Sequence, residues 1–423
     1  MRARMFSTVV TVTSVAVGVT LMLILLGMRD SGRKAFERGS GNMHLLVSAE
    51  ESPLLSVLNA IFYAGAPSAP LPYTEYLRLA QDPAVEYAIP TLQGDSFRGY
   101  PVMATTPEFF TRFSVNAEFD PVEPDPAKTW RFARGEGFSS RLEIVLGSEV
   151  ARASALGLGA IVHLTHGMAR EEGAHVHNEF GYKVVGILAP TGSAHDRALF
   201  IHVENSWLMH AHDARVRMAR GEKFEELTLD DLTSADRLIT GVYVRARTRA
   251  GRQASAVIPA LAGELARNPN IMVAAPRDQI RKLFEIVSNV DRILLAMAGV
   301  VMVSSGIGIM LALYNSMEQR RRQIAVLRIL GCSAMGILRL VLMEAALIGL
   351  IGAVAGVLLA QVGALIVVEV MERQLGLIVE PQLPPVTVLG VCGATVVLAS
   401  LSGLIPAFLA YRTSVANNLR PMG

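Results

Sequence analysis

Four long apolar segments divide the sequence. They cover residues 5–28, 293–313, 337–368 and 386–410, and they contain very few charged residues. A helix rises about 1.5 Å per residue and needs roughly 20 apolar residues to cross a hydrocarbon core of about 30 Å. Each segment reaches that length, so the pattern predicts four transmembrane helices.

The first apolar segment follows Arg2 and Arg4, as it would in either a signal peptide or a first membrane helix. It is longer than the roughly 7–15 apolar residues of a signal peptide, and no cleavage site of the small-x-small type precedes Arg29. We therefore expect residues 1–28 to form a short cytoplasmic start and an uncleaved membrane helix.

Residues 29–283 show a different pattern, rich in proline, glycine and charge and without an apolar run long enough to span. Short alternating and helical runs predict a mixed α+β extracytoplasmic domain with two lobes, followed by three membrane helices in residues 284–423. The helices are predicted at 73–80, 107–113, 148–156 and 254–266, and the strands at 85–90, 101–105, 142–147, 160–165, 182–188, 199–202, 241–247 and 271–274.

The composition agrees with a membrane protein that carries a large aqueous domain. Hydrophobic residues make up 51% of the chain and the mean hydropathy is +0.39, which is too apolar for an ordinary soluble protein. The net charge of +2 gives no reason to expect a nucleic-acid partner. The two cysteines, Cys332 and Cys392, lie outside residues 29–283, so that domain must fold without disulfides.

A basic segment, residues 316–339, joins the second and third apolar runs. Short loops rich in arginine are retained on the cytoplasmic side of a membrane. Ile324, Leu327 and Leu330 recur at helical spacing, and Gly331 and Ser333 are typical helix stop and start residues. The pattern predicts a short amphipathic helix at the membrane face. Its positive residues are Arg320, Arg321, Arg322, Arg328 and Arg339.

This segment reads R-R-R-Q-I-A-V-L-R-I-L-G-C-S and resembles the loop signature of FtsX-like ABC transporter permeases, which include MacB-type exporters and lipoprotein-release permeases. In that family E-R-R-x-E-I-A-V-L-R-A-L-G-A-S precedes a long helix with an early glutamate. Gln319 and Gln323 replace the usual acids here, and Ile329 and Cys332 replace two alanines.

Further stretches carry the same resemblance. The MacB-like periplasmic domain is resembled by two stretches, I-V-L-G-S-E-V-A-R-A-S-A-L-G and F-G-Y-K-V-V-G-I-L. The end of the last helix in the family is resembled by G-L-I-P-A-F-L-A-Y-R. Residues 39–72 are only loosely similar to the general family. The resemblance therefore extends over most of the chain.

The resemblance implies the permease subunit of an ABC transporter of the mechanotransmission type, in the bacterial inner membrane with both termini cytoplasmic. It implies a separate ABC ATPase, a second permease copy that is identical or related, and an optional periplasmic or outer-membrane partner. The chain has no G-x-x-x-x-G-K-[ST] motif and no recognisable catalytic motif, so ATP would bind to the partner subunit and the permease would not itself be an enzyme. The implied coupling residues are Arg320, Arg321, Arg322, Ile324, Leu327, Arg328, Leu330 and Gly331.

Two alternative functions remain open at this point. One is a transmembrane signalling protein of the FtsX kind, whose outer domain activates envelope hydrolases. The other is a component of a zinc-linked transport system, because His175 and His177 would share one face of a strand and His166 could help to complete a zinc shell. His163, His195 and Asp196 are further candidate ligands. The competing interpretation is a polar loop with solvated imidazoles.

Two features of the third apolar segment carry further hypotheses. Glu344 is an embedded carboxylate, which either forms a latch with Arg328 or Arg339 or extends to the membrane interface. Gly352 and Gly356 form a G-x-x-x-G pair, which permits close helix contact either within the chain or between two copies.

Overall fold

The structure is a computed structural model that describes residues 2–118, 120, 122–125, 128–167, 177, 179–218, 227–247, 257–375 and 383–411. The chain divides into two compact units. We call the first the helical unit, comprising Met1–Gly32, Ile286–Leu375 and Val379–Gly423. The second is the α/β unit, comprising Arg33–Glu285 and Gly376–Ile378.

The secondary-structure elements of the described residues are numbered in chain order. The helices are α1 (Arg2–Ser40), α2 (Pro53–Phe62), α3 (Tyr73–Gln81), α4 (Glu108–Arg112), α5 (Ser148–Ser154), α6 (Val203–Met218), α7 (Val257–Leu265), α8 (Pro276–Ile329), α9 (Ala334–Leu375), α10 (Pro385–Ser402) and α11 (Leu404–Tyr411). The strands are β1 (Leu45–Ser48), β2 (Leu71–Pro72), β3 (Val85–Phe97), β4 (Tyr100–Thr105), β5 (Phe132–Gly135), β6 (Glu143–Leu146), β7 (Ile161–Val162), β8 (Thr165–His166), β9 (Tyr182–Leu188), β10 (Leu199–His202), β11 (Leu238–Ile239), β12 (Gly241–Ala246) and β13 (Met272–Ala274).

Within the described residues, four helical stretches are long and apolar enough to cross a membrane, which confirms the four predicted spans. They are Thr8–Ser40, Pro276–Met317, Ala334–Val370 and Pro385–Leu409. Many of their large apolar side chains are exposed, as expected for surfaces that lipid covers.

Two of the spans differ from the sequence prediction in their continuity. Helix α8 runs unbroken through the second span and the basic segment to Ile329, where a separate short helix is predicted. Residues 316–329 contain neither glycine nor proline, so nothing interrupts the hydrogen-bond ladder. The fourth span breaks at Gly403, between α10 and α11, and Pro406 lies in the first turn of α11.

Small residues allow the helices of the helical unit to approach closely. A Cβ atom added to Gly352 would lie 2.6 Å from Val15, and one added to Gly356 would lie 2.6 Å from Val19. The hydroxyl of Thr20 donates to the carbonyl oxygen of Gly356 at 3.0 Å. The G-x-x-x-G pair therefore packs against α1 within the chain.

The α/β unit is built on an eleven-stranded mixed sheet. Its strand order is β13-β1-β12-β3-β4-β10-β6-β9-β5, with β7 paired to β9 and β8 paired to β3. The β4–β10 and β6–β9 pairs are parallel, and the other pairs of this sheet are antiparallel. Strands β3 and β4 form a hairpin through Arg98 and Gly99, which both have positive φ, as a type I′ turn requires.

Both faces of this sheet are buried, because alternate residues of its central strands enter different cores. Leu199 and Ile201 belong to one core, and Phe200 between them belongs to the other. Helices α3, α5, α6 and α7 supply side chains to the first core. Helices α2 and α4 and the parts of α1 and α8 in this unit supply the second.

Most of the predicted elements of the α/β unit are confirmed. Strands 182–188 and 199–202 have the predicted bounds, and the other predicted strands are present with shifted ends; the predicted strand 160–165 is divided into β7 and β8. Helix α6 falls between the predicted strands 199–202 and 241–247, and β1 and α2 also fall where no element is predicted. The two-lobe division stays a prediction.

The close contact between α1 and α9 can be tested at Gly356. We expect Gly356→Ala to lower the free energy of unfolding by about 1–3 kcal/mol, because the new methyl group would overlap Val19 and the carbonyl oxygen of Ala16. Thermal unfolding of the full chain in detergent measures this change. The matched control is Gly393→Ala in α10, where nothing lies within 4 Å and the change should be neutral or stabilising. Equal destabilisation by both variants would contradict the packing role.

Candidate functional site

The basic segment forms the end of α8 and a tight turn into α9. Gly331 has a φ of +97°, a conformation that favours glycine and ends the helix. The backbone N–H of Cys332 donates to the carbonyl of Leu327 at 3.0 Å. Ser333 then caps α9, because its hydroxyl accepts a hydrogen bond from the N–H of Gly336 at 3.1 Å. The predicted stop and restart are therefore present.

The apolar residues of this segment have two different environments. Ile324 is buried with Ile337, Val341 and Ala407, so α8, α9 and α11 pack together here. This burial does not fit the expectation that Ile324 contacts a partner. Leu327 and Leu330, in contrast, expose 42% and 78% of their surface. Val326, Ile329 and Met335 are also exposed beside them. We call Val326, Leu327, Ile329, Leu330 and Met335 the coupling patch.

An ion pair links the basic segment to the third span. Arg320 Nη1 lies 3.5 Å from Glu344 Oε2, and both side chains are more than a third exposed. Glu344 thus pairs with Arg320 of α8, an arginine that the sequence prediction of Arg328 or Arg339 does not include. Because the pair is exposed, its contribution to stability is modest, about 0–1 kcal/mol. The side chains of Arg321 and Arg322 lie outside the described residues.

A second cluster of chemically active side chains lies in the α/β unit. Asp95 on β3 lies opposite His166 on β8 in the strand register. Asp95 Oδ1 is 3.2 Å from His166 Nδ1, and both Asp95 oxygens are 3.2 Å from His210 Nε2 on α6. We call Asp95, His166 and His210 the His–Asp cluster.

An irregularity in β3 positions Asp95. Between Gln93 and Ser96 the register with β4 shifts by one residue, which is a β-bulge, and Gly94 within it has a φ of +153°. Gln93 therefore reaches α2 and donates to the carbonyl of Ala60, whereas Asp95 faces α6 on the opposite side of the sheet. In a regular strand these two residues would share a face.

Electrostatics and burial act in opposite directions on Asp95, which is almost fully buried. Burial by itself would raise the pKa of its carboxyl group. Hydrogen bonds from His166 and His210 outweigh that effect and hold the pKa well below its usual range. Asp95 is therefore ionised at neutral pH.

A neighbouring group contains His177, Glu179 and Asp213. His177 Nδ1 lies 3.4 Å from Asp213 Oδ2, and the His177 side chain is fully buried. The ring centroids of His166 and His177 are 6.2 Å apart. His166 and His177 are thus near each other, but they belong to two different groups of ligand atoms.

Two family models match the chain. Residues 8–277 match the MacB-like periplasmic core domain, which is more than half of the sequence, and residues 295–415 match the FtsX-like permease C-terminal domain. The chain belongs to the FtsX-like, MacB-type family of ABC transporter permeases. Permeases of this family are the transmembrane components of ABC transporters, lack an ATPase site of their own, work with ABC ATPase partners and dimerise.

Solved structures also resemble this permease. The periplasmic region of MacB from Actinobacillus actinomycetemcomitans is 12% identical, with a TM-score of 0.33, over 59% of this chain and 95% of that one. The extracellular domain of the noncanonic ABC-type transporter YknZ from Gram-positive bacteria is 8% identical, with a TM-score of 0.26, over 55% of this chain and 98% of that one. None of the curated proteins compared with the chain matches it.

The other predicted ligands of the permease have different outcomes. His175 lies outside the described residues. His163 Nδ1 lies 3.4 Å from the carbonyl oxygen of His177. His195 is fully buried among aromatic rings, with Tyr63 Oη 2.9 Å from Nδ1 and the Gly39 carbonyl oxygen 3.2 Å from Nε2. Both of its ring nitrogens are occupied, which removes His195 from the candidate ligands.

Sequence reasoning missed Asp95, His210 and Asp213. His210 and Asp213 lie one turn apart on α6, in the stretch M-H-A-H-D, so an i, i+3 spacing was visible. That spacing did not suggest a pair of ligands, because helix α6 itself was not predicted. Asp95 gave no signal, since its position depends on the bulge in β3.

The buried His195 gives the permease a pH-dependent stability. Burial lowers the pKa of His195 to about 4, against about 6.5 in an unfolded chain, and the bond to Gly39 only partly opposes this. The unfolded state therefore binds more protons between these values, and stability that is complete above pH 6.5 is lost as the pH falls toward 4. The shift corresponds to roughly 3 kcal/mol.

We expect His195→Gln to retain more of its pH 7 stability at pH 4 than the unmodified permease does. Glutamine can still accept from Tyr63 and donate to Gly39, but it does not titrate. Unfolding of the full chain across pH 4–7 measures the difference. His212→Gln, which removes a partly exposed histidine of α6, serves as the control. An unchanged pH slope in His195→Gln would show that another group is responsible.

Proposed function

We propose that the chain is the permease subunit of a mechanotransmission-type ABC transporter, in which ATP hydrolysis on a separate subunit moves the α/β unit. The continuity of α8 carries this proposal. One unbroken helix includes residues of the α/β unit, the second span and the basic segment that ends at the coupling patch. A rotation or tilt imposed at the end of α8 is therefore transmitted along a hydrogen-bonded helix.

The described residues of the helical unit give no support for a polar path through the membrane. A cavity among α1, α8 and α10, lined by residues such as Val15, Ser305 and Leu398, has a volume of about 10 Å³. This is roughly the space of one water molecule. A polar cargo among these apolar helices would lose several kcal/mol for each unsatisfied group. Work on the cargo by the α/β unit avoids that cost.

Helix α1 would act as the second lever arm. Arg29 of α1 lies 3.7 Å from Asp291 of α8 within the helical unit. Within the α/β unit, Phe36 of α1 packs edge-on against Phe284 of α8, with ring centroids 5.6 Å apart. The two helices that lead into and out of the α/β unit are therefore in contact, and a change at α8 would also affect α1.

The charge distribution supports the proposed orientation in an inner membrane. Arg2 and Arg4 lie at the start of α1, Arg412 and Arg420 follow the last helix, and the basic segment joins α8 to α9. Arginine near the ends of membrane helices favours the cytoplasmic side. The termini and the coupling patch would then lie in the cytoplasm with the ATPase, and the α/β unit would lie outside.

The coupling patch is the proposed docking surface for the ATPase, and Leu327 tests it. We expect Leu327→Asp to weaken co-purification with an ABC ATPase by roughly thirtyfold or more, because it places a charge in an apolar contact. Membrane insertion and α/β-unit folding should be unchanged. The matched control is Leu158→Asp, a similarly exposed leucine of the α/β unit at 47%. Full ATPase stimulation by the Leu327→Asp permease would reject the docking surface.

The lever mechanism is tested by joining α1 to α8. In a background of Cys332→Ser and Cys392→Ser, cysteines replace Arg29 and Asp291 and are linked by a short bismaleimide. We expect the linked complex to bind ATP but to hydrolyse it at least about fivefold more slowly, since the two helices must shift relative to each other during the cycle. Each single-cysteine permease treated with the reagent is the control. Normal hydrolysis with complete linkage would contradict the lever.

A further inference from the structure

Three elements of the α/β unit meet at the His–Asp cluster. The bulge in β3 presents Asp95, the short strand β8 presents His166, and α6 presents His210. One ligand atom from each residue lies within 4.8 Å of the other two. These residues are far apart in sequence, so the arrangement is produced by the tertiary fold and not by a local turn.

The distances between the ligand atoms suit a tetrahedral metal shell. Zinc binds histidine nitrogen and carboxylate oxygen at about 2.0–2.2 Å, so two ligands at a tetrahedral angle lie roughly 3.4 Å apart. The distances from Asp95 to His166 and to His210 are both 3.2 Å. They are also at the long limit of N–H···O hydrogen bonds, whose usual value is about 2.9–3.0 Å.

The burial of the three side chains forms a site with a closed base and an accessible mouth. The side chain of Asp95 is only 4% exposed, whereas those of His166 and His210 are 50% and 30% exposed. A carboxylate thus lies at the base, and two imidazoles lie between it and solvent. An ion can enter from the solvent side, and its fourth ligand position would face that side.

We infer that the His–Asp cluster binds a divalent transition-metal cation of the zinc class, through one carboxylate oxygen and two imidazole nitrogens. The donor set selects this class, because imidazole suits zinc and its neighbours whereas magnesium and calcium prefer oxygen ligands throughout. The site differs from the His166, His175 and His177 set that the sequence suggests, since Asp95 and His210 replace His175 and His177.

The bound cation would cross-link β3, β8 and α6. Strand β8 has only two residues and pairs only with β3 among the described strands. The metal would therefore fix β8 to the central sheet and to the helix that covers it. This goes beyond the proposed transport mechanism, because it makes the stability of the α/β unit depend on metal concentration in the surrounding compartment.

The test is direct binding of Zn²⁺ to the full-length permease. The protein is purified in detergent with a tag that contains no histidine, is stripped with a chelator, and is titrated with Zn²⁺ by calorimetry. We expect one tight site per chain. The double variant His166→Ala with His210→Ala and the single variant Asp95→Asn should each lose it, with affinity falling at least about a hundredfold.

Two matched variants make the assignment specific. His212→Ala removes another histidine of α6 that is not in the cluster, and His177→Ala removes the histidine of the neighbouring group. Both should retain the tight site within a few-fold. Tight binding that persists in the His166→Ala, His210→Ala permease overturns the inference. So does a loss of tight binding in His177→Ala alone, which would assign the metal to the neighbouring group.

A second measurement distinguishes the loss of metal binding from misfolding of the variants. Thermal unfolding with and without Zn²⁺ should show an upward shift in Tm for the unmodified permease and for His212→Ala. The Asp95→Asn permease should unfold cooperatively but show no such shift. Co²⁺ in the unmodified permease should give the intense visible absorption of a tetrahedral site. No tight Zn²⁺ site in the unmodified permease would show that the cluster is only a hydrogen-bonded carboxylate.

Discussion

The absence of water from a hydrocarbon core is the constraint on which the helical unit depends. An unpaired backbone N–H or C=O costs several kcal/mol there, so the chain must remain helical until it leaves the membrane. The interruptions near the basic segment occur accordingly in the connection between spans at Gly331 and, within the fourth span, at Gly403, close to its end. Both interruptions thus lie near the ends of the described spans, and each span is helical over most of its length.

The α/β unit depends instead on hydrogen bonds made by its buried polar side chains. Its sheet is covered on both faces, and buried polar side chains join neighbouring elements. His195 links Tyr63 to the end of α1 through Gly39, and Asp196 accepts hydrogen bonds from the backbone of Thr191 and Gly192. Removal of one partner from such a pair leaves a buried group without its hydrogen bond, which costs about 1–3 kcal/mol.

The spans and most strands could be predicted from the sequence because their signals are local. Hydropathy over some twenty residues decides a span, and alternation decides a strand such as 199–202. Helix α6 gave no such signal, because both its faces carry polar residues and its helicity is stabilised by packing of Trp207 and Leu208 against the sheet.

The candidate sites also contain parts that local sequence signals predict and parts that they do not. The turn at Gly331 and Ser333 could be predicted, since glycine and serine have well-known roles at helix ends. The partner of Glu344 could not be predicted, because Arg320 reaches Glu344 only when α8 continues as one helix past the second span. The His–Asp cluster also lay beyond sequence reasoning, since it requires three elements that are remote in the chain.

The bulge in β3 has a consequence for insertions and deletions. It contributes one residue more than β4 does between Gln93 and Ser96, so the parity of the strand changes there. Loss of Gly94 would restore a regular ladder without breaking the hairpin. Asp95 would then follow Gln93 directly in a regular strand, and the two side chains would point to opposite faces without the extra residue. Residues before the deletion would keep their register with β12, and residues after it would keep the turn at Arg98 and Gly99, because the deletion removes only the extra residue of the bulge. The central strand therefore contains one position whose loss leaves the pairing of its neighbours unchanged.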